Sequence, residues 1–330
     1  MSAARKPTCA IPIFRSLEEF PAGFGPTVAS IGNFDGVHCG HRAIVAGAVD
    51  EARASGLKAL VVTFDPHPEV LLRPADAPKL IAPLEVRLQL LATTGADAVL
   101  VLPFNEKLAH MQPRDFARNV LRDKLAVRSL HEGHNFRFGY RAGAGVRELA
   151  EFGNEFGWSV HVHSFVRIRG LEVSSTAVRD LIAAGDVRRA RWMLGRCFTL
   201  YSTQKRDRGI GSKLLVPTVN LAGIDGLLPA TGVYVTRLKI AGRPFRAITN
   251  VGNRPTFGEP SFSIESHILN FEPVEIDEST PLELEFLLRL REEKQWPSAE
   301  ALKQQILKDV ARAQQYFRLA NRDGSRPTPA

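Results

Sequence analysis

The chain has 330 residues, 44% of them hydrophobic and 24% charged, with a formal charge of +8 at pH 7. That length supports two domains with proper cores, and those fractions belong to an ordinary globular protein rather than a disordered or fibrous one. No apolar run approaches the roughly 20 residues a membrane-crossing helix needs. Residues 1–13 carry no continuous apolar core and no small-residue cleavage site, so no export signal is expected. Cys9, Cys39 and Cys197 are far apart and odd in number. They make neither a disulfide framework nor a metal-ligand pattern, so a cytoplasmic setting is expected. The basic residues are dispersed among carboxylates and apolar positions. Their field suits small anions better than nucleic acid.

In chain order, Thr27 to Ile31 reads as a buried strand and Arg42 to Ala54 as an alanine-rich helix. Between them lies Gly32-Asn33-Phe34-Asp35-Gly36-Val37-His38-Cys39-Gly40-His41. Glycines at 32, 36 and 40 let backbone approach a ligand closely. The helix starting near Gly40 turns its unbonded N–H groups and positive dipole end toward this loop. A strand, a glycine-rich turn and a helix N-terminus together make an anion site. His38 and His41 can each donate hydrogen bonds to phosphate oxygens there. By themselves the same residues also read as a tight turn with two surface histidines.

Strands are further expected at Leu57 to Phe64, Ala96 to Phe104, Val127 to Gly133 and Trp158 to Val166. Helices are expected at Pro83 to Thr94, Pro113 to Leu125 and Val146 to Phe156, each by its apolar period. Alternating α and β with near-continuous apolar strands implies a parallel sheet covered on both faces. Ligands then bind beyond the carboxyl ends of the strands. Three stretches fall there. Thr63-Phe64-Asp65-Pro66-His67-Pro68 is a rigid strand exit in which His67 is either a loop or a site histidine. Gly133-His134-Asn135-Phe136-Arg137-Phe138-Gly139 suits a binding loop. Val173-Ser174-Ser175-Thr176-Ala177-Val178-Arg179 opens a helix that Ser175 or Thr176 can cap, with Arg179 placed to meet phosphate.

After a short helix at 186–195 the pattern changes. Strand-like runs follow without helices between them: Phe198 to Gln204, Val216 to Leu221, Gly232 to Ile240, Phe245 to Val251, Ser263 to Phe271 and Leu282 to Arg289. Close strands with polar turns suggest an antiparallel β-barrel. One amphipathic helix, Ser298 to about Leu319, closes this half. The expected division is 1–186, 187–322 and a disordered tail at 323–330.

These stretches carry a resemblance. Gly32-x-Phe34-Asp35-x-x-His38-x-Gly40-His41 resembles the HxGH signature of the nucleotidyltransferase superfamily. The fuller phrase resembles the bacterial bifunctional riboflavin kinase/FAD synthetase (RibF) family. The TFDPHP, GHNFRFG and SSTAVR stretches are similar to that family's phrases in the same order. The resemblance implies an N-terminal Rossmann-like α/β nucleotidyltransferase domain and a C-terminal riboflavin kinase barrel with a C-terminal helix. It implies that His38, His41 and Arg179 act on ATP, with Gly32, Asn33, Phe34, Asp35, Gly40, Ser175 and Thr176 binding it. His67, Asn135, Phe136 and Arg137 would shape the flavin site. The FMN phosphate would attack the α-phosphorus of ATP, giving FAD and pyrophosphate. Asn135 stands where many relatives have a carboxylate, and Ala177 where many have an arginine.

In the second half, Pro217-Thr218-Val219-Asn220 resembles the family's PTxN phrase, which implies that Thr218 and Asn220 hold Mg²⁺. Glu265-Ser266-His267 resembles the ExH strand, implying that Glu265 is the general base toward the ribityl hydroxyl of riboflavin. Asn250 to Thr256 and Arg291 to Trp296 resemble the NxGxRPT turn and the RxExKF stretch, which brings Arg291 to the flavin. Gly209, Gly211 and Lys213 would wrap the kinase's ATP. Leu215 replaces a family glycine, and the aromatic-glycine pair expected after the ExH strand is missing from 273–280. The substrates implied are riboflavin, FMN and ATP. The rival expectations are an adenylyltransferase with a degenerate kinase half, and a basic nucleic-acid-binding or regulatory protein.

Overall fold

In the computed structural model, which describes residues 11–204, 218–222, 226–254, 261–270 and 276–322, the apolar runs of the first half pair into one parallel sheet. Its strands are β1 (Ile13–Phe14), β2 (Thr27–Ile31), β3 (Lys58–Asp65), β4 (Ala98–Pro103), β5 (Val127–Gly133) and, after two short strands, β8 (Ser159–His163). The short pair is β6 (Arg137–Phe138) with β7 (Ala144–Gly145), and β9 (Arg167–Ile168) with β10 (Leu171–Glu172) forms a second hairpin. The sheet order is β1-β4-β3-β2-β5-β8. The chain steps one way from β2 through β3 to β4, then returns to the other side of β2 as β5. The order therefore reverses between β2 and β5, the place where open α/β sheets bind ligands.

Both faces are covered. Val28, Ala59, Val61, Val99 and Val101 pack beneath α1 (Cys39–Ser55) and the later α3 (Leu84–Ala92). Alternate residues, Ile31, Leu60, Val62, Leu100 and Leu102, pack on the other face. There they meet Phe116, Val120 and Leu121 of a π-helix (Phe116–Lys124) and Leu149 of α6 (Val146–Phe156). Between these lie the short α2 (Pro68–Leu72), α4 (Glu106–Ala109) and α5 (Pro113–Asp115). The helix expected over 113–125 is thus one α-turn continued with wider hydrogen bonding, Leu125 N–H reaching Val120 O. Among the described residues no helix is long and apolar enough to cross a membrane.

Contacts divide the chain into Met1–Ser175 and Thr176–Ala330. α7 (Ser175–Ala183) starts at that division, and α8 (Val187–Leu194) follows it. The second unit is an antiparallel sheet of β11 (Phe198–Ser202), β12 (Thr218–Asn220), β13 (Gly232–Ile240), β14 (Arg243–Arg254), β15 (Ser261–Ile268) and β16 (Leu282–Arg291). Their order is β11-β16-β13-β14-β15-β12. Just beyond the two edge strands an antiparallel bridge joins Gln204 to Leu221, and Ala222 N–H donates to Thr203 O at 2.8 Å. The sheet thereby curls toward itself, its two edges meeting at that bridge. A chain of buried hydroxyls, Thr236–Thr249–Ser266, links β13, β14 and β15 at 2.7 and 2.8 Å. α9 (Ala299–Arg322) lays Ala313 and Phe317 on Val233, Val235 and Leu287.

Candidate active site

The loop after β2 is built under strain. Phe34 and Val37 adopt left-handed backbone, φ 48° and 39°, which costs roughly 1–3 kcal/mol each. A β-branched residue there is a genuine outlier. Both side chains are held in the core, 2% and 0% exposed, so their packing fixes the loop. Asp35 is buried as well. Its carboxylate accepts Ile81 N–H at 3.0 and 3.1 Å and Ala82 N–H at 3.3 Å, while its carbonyl accepts the Ser175 hydroxyl at 3.0 Å. Asp35 therefore ties the loop to two distant segments.

His38 caps α1. Its Nδ1 accepts His41 N–H at 3.2 Å, which puts the proton of the neutral ring on Nε2. The His38 and His41 rings stack 3.5 Å apart at 16°, and His41 meets Phe34 edge-on at 5.2 Å. Gly40 lies against this stack: a Cβ there would sit 3.2 Å from two atoms of the His38 ring. The two imidazoles thus stand side by side at the positive end of a 17-residue helix, where anionic oxygens are stabilised.

Asn33 reaches the other way. Its side-chain amide meets His67 Nε2 at 3.1 Å, and His67 caps α2 by accepting Glu69 N–H at 3.3 Å. The Asn33 carbonyl accepts Thr63 Oγ1 at 3.2 Å and Arg87 Nη1 at 2.8 Å. Arg87 Nη2 donates to Phe64 O, also at 2.8 Å. This arginine, 1% exposed, bolts the loop after β2 to the end of β3. Burial lowers its pKa, and the charges of Asp35 and Asp65 oppose that. Sequence reading missed it, although a signal exists. Leu84, Arg87, Leu88 and Leu91 occupy i, i+3, i+4 and i+7, so Arg87 falls on the apolar face.

A cavity of about 320 Å³ opens beside these loops, lined by Gly32, Asn33, Asn135, Phe136, Arg137 and the apolar side chains of Phe64, Phe104 and Met111, among others. Its size and its apolar walls with few polar groups are those of a small-molecule site. Asn135, Phe136 and Arg137 line it together with Gly32 and Asn33; His67, in contact with Asn33, is not in the lining. Thr176 and Arg179 lie further along α7, in the second unit. At the end of β5 the Glu132 carboxylate is 2% exposed and accepts the N–H of Ile31, a residue of the cavity lining, at 2.8 Å. Burial raises its pKa well above the usual carboxylate range.

In the second unit the pleat sorts β15. Ser263, Glu265 and His267 are half-buried on one face, and Ile264, Ser266 and Ile268 point into the core. Glu265 lies opposite Asn220 on one side and Asn250 on the other, and Thr218 lies opposite His267. Ser263 Oγ donates to Glu265 Oε1 at 3.1 Å. Burial lowers the pKa of His267. The hydroxyl of Thr218 and the amide of Asn220 sit two residues apart on one face of β12, a pair of hard oxygen donors fit for magnesium. Arg291 is engaged elsewhere: its Nε donates to the buried Asp309 of α9 at 2.9 Å, and its guanidinium lies 5.5 Å from the Trp296 ring. Gly209, Gly211 and Lys213, with Leu215, lie outside the described residues.

Residues 22–177 match the FAD synthetase family and residues 194–317 the riboflavin kinase family. A bifunctional riboflavin kinase/FMN adenylyltransferase of Pseudomonas fluorescens is 36% identical over 87% of this chain and 91% of its own length. The protein of that name from Escherichia coli K12 is 31% identical over 88% of this chain and 93% of its own length. A solved structure titled macrolide-efflux protein, from Streptococcus pneumoniae, superposes with a TM-score of 0.79 at 23% identity, covering 92% of this chain and 98% of that one. At that identity the match speaks for the fold alone. Both halves of the chain, joined in one order and matched nearly end to end by full-length relatives, place it in the bifunctional riboflavin kinase/FMN adenylyltransferase family.

Proposed function

We propose that the chain makes both flavin cofactors: the barrel unit phosphorylates riboflavin to FMN with ATP, and the sheet unit transfers AMP from a second ATP to FMN, giving FAD and pyrophosphate. The observation that carries this reading is the stacked His38–His41 pair at the start of α1, beside the reversal in strand order. The Nε2–H of His38 and the helix N-terminus offer donors where charge develops on the α-phosphate oxygens. In-line attack by the FMN phosphate needs positioning and charge stabilisation, not a protein nucleophile. The isoalloxazine ring would occupy the apolar cavity against Phe136, with Asn33 and Asn135 as polar contacts. His67 would orient Asn33.

In the barrel, Glu265 would take the proton of the ribityl hydroxyl as that oxygen attacks the γ-phosphorus of ATP. Asn250 and Asn220, opposite it on either side, would orient the carboxylate and its substrate. Magnesium held at Thr218 and Asn220 would neutralise phosphate charge. Arg291, held by Asp309, would serve the flavin end of this site through backbone position rather than charge. Among the described residues Cys39 and Cys197 form no disulfide, which suits a reducing cytoplasm.

Purified protein given riboflavin, ATP and Mg²⁺ should form FMN and then FAD, resolved by chromatography. The His38→Ala/His41→Ala variant should stop at FMN. Glu265→Ala should make FAD from supplied FMN but nothing from riboflavin. Loss of both products in either variant would overturn the division of labour.

A further inference from the structure

A second cluster of titratable side chains lies at the far end of α1, on the edge of the parallel sheet. The pairing of β5 with β8 sets His131 directly opposite His161, and α1 brings Glu51 over both. Glu51 Oε2 is 2.5 Å from His131 Nε2 and 3.2 Å from His161 Nε2. One ligand atom from each of the three residues lies within 4.8 Å of the others. Glu51 is ten residues beyond His41, roughly 15 Å along the helix, so the nucleotide loop does not share this cluster. We propose that Glu51, His131 and His161 bind one divalent transition-metal ion of the zinc class.

The donor set fits that chemistry. Two imidazole nitrogens and one carboxylate favour zinc, cobalt, nickel or copper over magnesium or calcium, which prefer oxygen alone. Tetrahedral zinc with ligands at about 2.0–2.2 Å separates its donor atoms by roughly 3.4 Å. Opening the Glu51–His131 contact by about an ångström reaches that spacing. His161 is half exposed, with 51% of its side chain accessible, so a fourth position faces water, as in zinc sites with three protein ligands.

The supporting contacts are those a metal centre uses. His131 Nδ1 lies 2.9 Å from His163 Nε2. When Nδ1–H donates to His163, Nε2 of His131 presents its lone pair toward Glu51 and the ion. Ser129 donates to Glu51 Oε2 at 3.1 Å and itself accepts from Ser159 at 3.0 Å. Room for the rings comes from Gly47 of α1. A Cβ there would lie 2.8 Å from His131 Nδ1 and 3.0 Å from His163 Cε1. A bound ion would pin α1, which follows the histidine loop, to β8 and to β5, which leads into the 133–139 loop.

The test uses the full chain without a polyhistidine tag, stripped with a chelator and titrated with Co²⁺. Expected are one equivalent bound, intense visible absorption of a four-coordinate ion, displacement by Zn²⁺, and a rise in melting midpoint with Zn²⁺. His161→Ala and Glu51→Gln should each weaken binding by at least about tenfold, and Gly47→Ala by a comparable factor through the displaced rings. His161→Ala alters an exposed side chain and should keep FAD formation with Mg²⁺ and ATP within about twofold of the parent. Absence of the spectrum, or equal affinity and stoichiometry in His161→Ala and Glu51→Gln, would overturn the proposal and leave the cluster as a hydrogen-bonded histidine relay.

Discussion

Replacing Arg87 by methionine would test how the nucleotide loop is held. Methionine keeps much of the volume but leaves Phe64 O without its side-chain donor and Asn33 O with only the Thr63 hydroxyl. A buried acceptor without a partner costs ~1–3 kcal/mol; Phe64 O bears that cost, and Asn33 O, still held by Thr63, loses less. Relief from burying a guanidinium offsets part of that. The net expectation is a loss of about 1–2 kcal/mol from the sheet unit, a measurable share of a typical domain's 5–15 kcal/mol. Arg87→Lys, with one ammonium for two carbonyls, should lose about half as much. The assay is FAD formation from supplied FMN after equilibration in rising urea, with FMN formation from riboflavin as the internal control. The midpoint for FAD formation should fall in both variants, further in the methionine one, and the FAD rate without urea should fall with it. An unchanged midpoint and rate in Arg87→Met would refute the idea that this side chain holds the loop.

Gly40→Ala should displace the His38 ring, because its Cβ would approach two ring atoms at 3.2 Å; FAD formation should fall on the order of ten- to a hundredfold with FMN formation kept. Glu132→Gln should stabilise the protein at neutral pH. The buried acid has a raised pKa, so its stabilising contribution is complete below the unfolded value of about 4.5 and is lost as pH rises toward the folded one. The gap in melting midpoint between variant and parent should therefore widen from pH 4 to pH 8, and a constant gap would contradict the assignment. Phe317→Ala should cost the barrel ~3–5 kcal/mol by opening a cavity under α9, read as a lower inactivation temperature for FMN formation.

The parallel strands were legible because buried strands are short apolar runs closed by turn residues. β5 spans the residues expected of it, Val127–Gly133. β1 was not legible: two residues, Ile13–Phe14, carry no period. Nor was the π-helix, since a widened helix keeps the apolar face of an ordinary one. At the site, spacing located the loop after β2 and the histidines in it, but not what each polar group does. The Asp35 carboxylate is satisfied by backbone N–H groups 46 and 47 residues away, a contact no local pattern encodes. Arg291 is claimed by Asp309 across 18 residues for the same reason. Arg87 was readable in principle, as a charge on an apolar helix face, and was hidden by the general expectation that arginines face water.

The left-handed turn at Phe34 and Val37 has a further consequence. Because the Phe34 ring and the Val37 methyls are rooted in one hydrophobic core cluster, the cradle is already shaped before nucleotide arrives. Binding then spends little on ordering that loop, and no folding of it need precede encounter. Its plasticity is correspondingly low. Altering nucleotide preference here would require repacking of Ile81, Leu88 and their neighbours behind the loop, so the interior of the domain acts as the hidden determinant of what its surface can grasp.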